Sequence, residues 1–249
     1  MSAIVRALQL LETFSPEHTG LTLTEMARRS GLPLTTTHRI VGDLLTWGAL
    51  ERDTDGRFRI GLRLWETASL APRGLGLREL ALPFLEDLSQ VTQENVQLAV
   101  REDHEVVYVE RIAGRTAVPV FTRVGGRFPM SPTGVGLVLL AHAPAEVQEE
   151  ILSAPLPRFT EKTIVSPRRL RQVLSEVRRT GVAISDRQVT MDALSVAAPV
   201  SGRGGDVVAA ISVVVHADEV RPTTLVPVVR AAARGISRAL GLPATGSMS

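Results

Sequence analysis

Residues 33–45 read PLTTTHRIVGDLL: three threonine hydroxyls, an imidazole and a guanidinium, running at once into aliphatic residues. A hydroxyl gives and takes single hydrogen bonds and a guanidinium forks onto two acceptors, so the set suits phosphate oxygens and base edges. Placed on a helix at about 100° per residue, Ile40, Val41, Leu44 and Leu45 share one face, and Thr37 joins them. Thr35, Thr36, Arg39, Gly42, Asp43 and Thr46 take the opposite face, with His38 at the boundary. A solvated helix face usually carries Glu and Lys. Short hydroxyls, one Arg and a Gly instead make a surface that another body can approach closely.

The elements around this stretch decide how it is presented. Ile4, Ala7, Leu8, Leu10, Leu11 and Phe14 recur at helical spacing and predict a first helix over 2–15. Thr22-Leu-Thr-Glu25 is a capping box opening a second helix, with Leu23, Met26 and Ala27 as its buried stripe. Gly31 suits the left-handed position that ends it, and Pro33 fits the first turn of a third. A short helix, a tight turn and a second helix form a helix-turn-helix, whose second helix lies in a DNA major groove. A plain helical hairpin with a polar face is the competing reading. Residues 50–61 weigh against it: LERDTDGRFRIG places two strand-like arms around Asp55-Gly56, a strong hairpin signal. Phe58 and Ile60 share one face of the returning arm, Arg57 and Arg59 the other, with Arg52 on the incoming arm. A helix-turn-helix followed by an Arg-bearing hairpin is a winged helix. Thr35, Thr36, His38 and Arg39 on the third helix, and Arg52, Arg57 and Arg59 on the wing, are the candidate DNA contacts.

Composition sets the outer limits. A length of 249 residues accommodates two domains, and 44% hydrophobic with 22% charged residues is ordinary for a chain with a sizeable core. There is no cysteine, which excludes disulfides and thiolate metal sites. No long apolar run and no basic-then-apolar leader stands in the chain, so a cytoplasmic protein with no membrane partner is expected. Net charge is only +2, and Lys162 is the sole lysine, so the positive charge is carried by arginine. That usage fits forked phosphate contacts, but equally a compositional bias of the source, which is the preferred reading.

Taken together, IVRALQLLETF, LTEMARRSGLPLTTTHRIVGDLLTWGALERD and GRFRIGLRLWE resemble the IclR family of bacterial transcriptional regulators. Thr36, His38, Arg39, Ile40 and Val41 fit that family's pattern, while Leu34 stands where a polar or basic residue is usual. The likeness runs to the C-terminus. It implies an α+β protein: a winged helix-turn-helix DNA-binding domain at 1–65, a linker helix at 66–75, and a GAF-like effector-binding and oligomerisation domain at 76–249. That last domain would be an antiparallel sheet with packed helices. The residues agree: NVQLAV, EVVYVERI, GVAIS, LSVAAPV and DVVAAISVVV read as strands. Helices are expected at 133–142, 144–152, 166–180 and 223–240.

Enzymatic chemistry has no support. The five histidines show no metal-ligand spacing, and Glu110, Asp186 and Asp192 show no spacing that favours acid–base work. Gly202-Arg203-Gly204-Gly205 reads as a turn between strands. The arginines between 168 and 179 read as a solvated helix face. No catalytic residue, metal or cofactor is expected. By resemblance, a small-molecule effector sits between PMSPTGVGLVLLA and SDRQVTMDALSVAAPV, with Met130, Ser131, Thr133, Gly134, Asp192 and Ser195 as the candidate contacts. Leu137, Gln188 and Asp192 depart from the family's usual Lys, Glu and Gly. A carboxylate at Asp192 facing an anion-attracting helix start near Ser131 and Thr133 predicts a zwitterionic effector. The expected protein is therefore an effector-controlled regulator, a homodimer or a tetramer, on a palindromic operator in double-stranded DNA. The alternatives are an enzyme or interaction protein using the winged helix as a scaffold, and a regulator whose pocket is vestigial.

Overall fold

A computed structural model describes residues 1–115 and 117–241, which divide into two compact units, 1–72 and 73 onward. In the first, α1 (Ala3–Leu11), α2 (Leu23–Ser30) and α3 (Leu34–Trp47) precede a hairpin of β1 (Leu50–Arg52) and β2 (Phe58–Ile60). Both α2 and α3 end on glycines with left-handed backbones, Gly31 at φ +69° and Gly48 at +86°. Pro33 stands just before α3, extended at ψ 142°, rather than inside its first turn. Leu10, Leu21, Met26, Ile40, Val41, Leu50 and Phe58 form the buried core. Leu21 also pairs with Phe58 through two backbone hydrogen bonds of 2.9 and 2.7 Å, which ties the hairpin to the start of α2. α4 (Leu62–Ala68) belongs to this unit. The Glu51 side chain accepts its first amide at 2.8 Å, and the Arg63 guanidinium donates to the Trp47 carbonyl while lying 5.0 Å from the indole ring.

The second unit is built on six antiparallel strands. Passing a π-type turn at Pro72–Gly76, the chain forms α5 (Leu77–Thr92), β3 (Asn95–Glu102), β4 (Glu105–Ile112) and a short β5 (Arg127–Pro129). Then come α6 (Gly134–Ala141), α7 (Ala145–Ser153), α8 (Pro167–Thr180), β6 (Ala183–Asp186), β7 (Ala193–Ser201), β8 (Val207–His216) and α9 (Pro222–Gly241). Spatial order is β5-β4-β3-β8-β7-β6. Only β5 has no counterpart among the strands expected from sequence. It is three residues long, and its register places Val106 opposite Phe128 at the sheet edge.

The two faces of this sheet differ chemically. Toward α5 and α9 the central strands present Val96, Leu98, Val100, Leu194, Val196, Val200, Ile211, Val213 and Val215, a continuous aliphatic layer. Toward α6 and α8 they present Ala99, Ala197 and Ala210, interspersed with Gln97, Ser195 and Ser212. Small side chains on that face let α6 settle so close that all eight of its residues are buried. Strand alternation alone sorts the two sets.

On the aliphatic side, α9 crosses α5 at Gly235, where an added Cβ would meet the Phe84 ring at 2.5 Å. Gly235→Ala is therefore expected to lower the stability of the larger unit by roughly 1–3 kcal/mol, as overpacking does. Urea unfolding followed by circular dichroism checks it; an unchanged midpoint would mean that Phe84 turns aside freely.

Candidate functional site

On α3 the buried and exposed faces fall as the periodicity requires. Ile40 and Val41 are buried, and Thr37 is wholly so, its hydroxyl donating to the Pro33 carbonyl at 3.1 Å. One of the three threonines is thus a helix-start brace. Thr35, His38 and Arg39 are exposed and Thr36 is half-buried. Beyond Gly42 an added Cβ would meet nothing within 4 Å, so the outward face is open. Arg39 lies 3.6 Å from Asp43 with both side chains largely exposed, an ion pair that water and salt weaken and that a phosphate or base edge can displace.

The wing arginines are held by their own unit. Arg57 donates to the Gly20 carbonyl at 3.0 Å and to Glu25 at 3.1 Å. Arg59 donates to Asp53 at 2.9 Å, and the Arg52 guanidinium lies 5.0 Å from the centre of the Phe58 ring. Asp53 also shapes the turn, accepting the amides of Asp55 and Arg57 at 3.0 and 2.9 Å. Desolvation pushes the Asp53 carboxyl up, but the Arg57 amide, the Arg59 guanidinium and the Asp55 amide outweigh it and leave it below its ordinary value. Glu25 closes the capping box, accepting the Thr22 amide at 2.7 Å and the Thr22 hydroxyl at 3.0 Å. The wing is thereby latched to the start of α2 through Arg57.

In the larger unit a cavity of about 60 Å³ opens on the polar face of the sheet, against the first turn of α6. Its floor is Gln97, Ser195 and Tyr108; Thr133, Gly134 and Val135 close one side; Phe121, Phe128 and Val189 supply apolar wall. None of its lining residues carries a charged side chain. Several polar groups are already engaged. Gln97 donates to the Thr122 hydroxyl at 2.6 Å, and Ser185 to the Pro132 carbonyl at 2.6 Å. Thr133 caps α6 by accepting the Gly136 amide at 3.0 Å. Burial pushes the Tyr108 phenol well above its ordinary value, only partly offset by its bond to Thr133, so it stays neutral. Two sets of groups are not spoken for. The first-turn amides of Gly134 and Val135 have no carbonyl within the helix to reach. The Thr190 hydroxyl is buried with no hydrogen-bond partner.

The sequence expectations are met unevenly. Thr133, Gly134 and Ser195 line the cavity. Met130 and Ser131, at 1% and 2% exposure, are buried in the packing that supports α6 and do not line it. Asp192 is exposed at the entry to β7 and does not line it either; its backbone carbonyl accepts the Ala217 amide at 2.8 Å. The zwitterionic effector thereby loses the group that would have held its ammonium. Leu137 is core, and the Gln188 side chain accepts the Ile164 amide at 3.1 Å, so both departures serve packing. Gln97, Tyr108, Ser185 and Thr190 were missed. For Gln97 the alternation of β3 carried the signal, a polar residue and Ala99 opposite an aliphatic row; Tyr108 on β4, Ser185 on β6 and Thr190 in the loop before β7 had no such local signal.

No group of three or more metal-ligating side chains, and no helix long and apolar enough to cross a membrane, occurs among the described residues. Residues 3–54 match the family model described as the IclR helix-turn-helix domain, and residues 71–238 match bacterial transcriptional regulator IclR C-terminal. The chain is 31% identical over 242 residues to the HTH-type transcriptional regulator KipR of Bacillus subtilis, covering 96% of each. It is 28% identical over 249 residues to the HTH-type transcriptional regulator XynR of Escherichia coli, covering 98% of this chain and 99% of that one. A solved IclR homolog from Microbacterium hydrocarbonoxydans, complexed with 4-hydroxybenzoate, superposes with a TM-score of 0.91 at 40% identity, covering 96% and 99% of the two chains.

The Thr22–Glu25–Arg57 latch has a pH signature. Glu25 is held below its ordinary value, chiefly by the Thr22 amide, then by the Thr22 hydroxyl, with Arg57 and Arg28 assisting. A depressed carboxylate stabilises the fold above its unfolded value, and that contribution disappears as pH falls through the folded one. Trp47 and Trp65 both lie in the smaller unit and report on it selectively. Acid titration by tryptophan fluorescence should show a step that Glu25→Gln removes, and Thr22→Ala should cost about 1 kcal/mol at neutral pH. An acid profile that is identical in Glu25→Gln would rule the latch out.

Proposed function

The chain belongs to the IclR family of bacterial transcriptional regulators, and from that premise we propose how this member reads DNA and which effector it senses. It is a DNA-binding transcriptional regulator with an effector-binding C-terminal domain. In our reading it acts in the cytoplasm as a homodimer on a palindromic operator, because one recognition helix contacts too few base pairs for a specific site. Thr35, Thr36, His38 and Arg39 enter the major groove from α3. Arg52, Arg57 and Arg59 lie along the backbone. The wing arginines touch phosphate with whatever donor capacity their internal partners leave free, so they add affinity more than sequence preference.

The effector we infer is a compact aromatic monocarboxylate bearing a second polar group, of the hydroxybenzoate type. The observation that carries this is the Thr190 hydroxyl, buried at the cavity without a partner. A buried unpaired hydroxyl costs about 1–3 kcal/mol, which a ligand supplying a hydrogen bond there recovers. The carboxylate would sit at the α6 start, on the amides of Gly134 and Val135 and the Thr133 and Ser195 hydroxyls. Apolar walls and the absence of charged lining suit an aromatic ring and disfavour dicarboxylates and ammonium groups. The 40%-identical neighbour complexed with 4-hydroxybenzoate supports the same class. At about 60 Å³ the cavity is small, so the segment from Pro119 to Thr122 must yield as the ring enters. Control then follows from unequal affinity of the effector for the DNA-competent and incompetent states.

Two measurements check these assignments. Arg39→Ala should keep the fold yet lose about 1–3 kcal/mol of discrimination per half-site in footprints on an operator selected from random DNA. Unchanged discrimination would remove Arg39 from the reading face. Calorimetric titration should show 4-hydroxybenzoate binding with a preference over benzoate that Thr190→Val abolishes. Unliganded stability should hold or rise, since the substitution deletes a polar group with no partner. Equal loss of both ligands would mean that Thr190 only shapes the cavity.

A further inference from the structure

Leu34 opens α3, the helix whose outward face carries Thr35, His38 and Arg39. Its side chain is 51% exposed. Leu32, two residues earlier, packs against the core of the unit, as do Leu44 and Leu45 further along; Leu34 does not join them. At about 100° per residue Leu34 projects between Val41 and Leu45 and next to His38, at the boundary of the core face, and it is exposed because it stands at the helix start. No acidic side chain stands in this first turn, and Pro33 before it supplies no capping group. The turn therefore offers one branched apolar side chain next to threonine hydroxyls, with Arg39 a turn further on.

Residues at the start of a recognition helix reach furthest into the groove. A leucine there is covered by DNA when the helix docks, and the group opposite it decides whether covering helps. Along the major-groove edges every base presents donors or acceptors, and only thymine adds an apolar group, its C5-methyl. Opposite any other edge Leu34 would leave a base donor or acceptor without its water and without a partner.

We propose that Leu34 reads a thymine methyl, fixing a thymine at one position of each operator half-site. This rests on α3 being the helix that enters the groove. The full-length protein and its Leu34→Ala variant are each used to select binding sites from random duplex DNA. Each thymine of the wild-type operator is then replaced singly by deoxyuridine, which removes only the methyl. One symmetry-related pair of positions should lose affinity on the order of fourfold per half-site in the wild type, as expected for one buried methyl-sized group. The same pair should show no loss in Leu34→Ala, and Leu34→Met should retain the preference. An enriched operator in which no deoxyuridine separates wild type from Leu34→Ala overturns the methyl reading alone. Failure to enrich any sequence overturns the assignment of α3 as well.

Discussion

The larger unit depends on how closely α6 lies against its sheet. An added Cβ at Gly134 would meet the Ser195 side-chain oxygen at 2.5 Å, and one at Gly136 the Met130 carbonyl at 2.1 Å. No side chain fits at either place. On the sheet, Ala99, Ala197 and Ala210 supply the matching lack of bulk. An eight-residue helix can be wholly buried only if its polar ends find partners. Thr133 caps one first-turn amide, and the others face the cavity. The same closeness that buries α6 therefore creates a pocket whose unmet hydrogen-bonding capacity belongs to the backbone and a few hydroxyls. The lining that results carries no charged side chain.

In the smaller unit the division of labour is between latching and reading. The Thr22–Glu25 capping box, Arg57 and the Gly20 carbonyl form one connected polar cluster, and Asp53 with Arg59 a second. Exposed pairs of this kind contribute little each. Their effect is geometric: they hold the hairpin at a set angle to α2, while Phe58 anchors it in the core. On the outward face of α3, Arg39 is paired, weakly, to Asp43, and the Thr46 hydroxyl donates to the Gly42 carbonyl. With a net charge of +2 the chain as a whole carries no large excess of positive charge to draw it onto DNA.

The winged unit and its reading helix were legible in residues 1–65 because local signals governed them. The capping box, the left-handed Gly31 and the Asp-Gly turn each act within a few residues of chain, and all appear where expected. The arrangement of the larger unit was also foreshadowed, since most strands and helices had clear periods. β5 escaped notice because three residues are too few to show a period.

What the sequence determined alone was the order of elements, the outward face of α3 and the start of α6 as a place where polar groups gather. Tertiary structure decided which side chains meet there. Gln97, Tyr108 and Thr190 come from strands and a loop far apart in the chain; strand pairing, Gln97 with Ser212 and Ala99 with Tyr108, sets the first two on one face, and the loop before β7 brings Thr190 to the same cavity. The same applies to the exclusions. Asp192 looked like a pocket carboxylate, yet it is exposed and does not line the cavity. Arg57 looked like a free cation for phosphate, yet Glu25, 32 residues earlier, holds it. Spacing along a chain reports which residues share a helix face or strand face; which faces meet depends on packing between segments that have no fixed spacing at all.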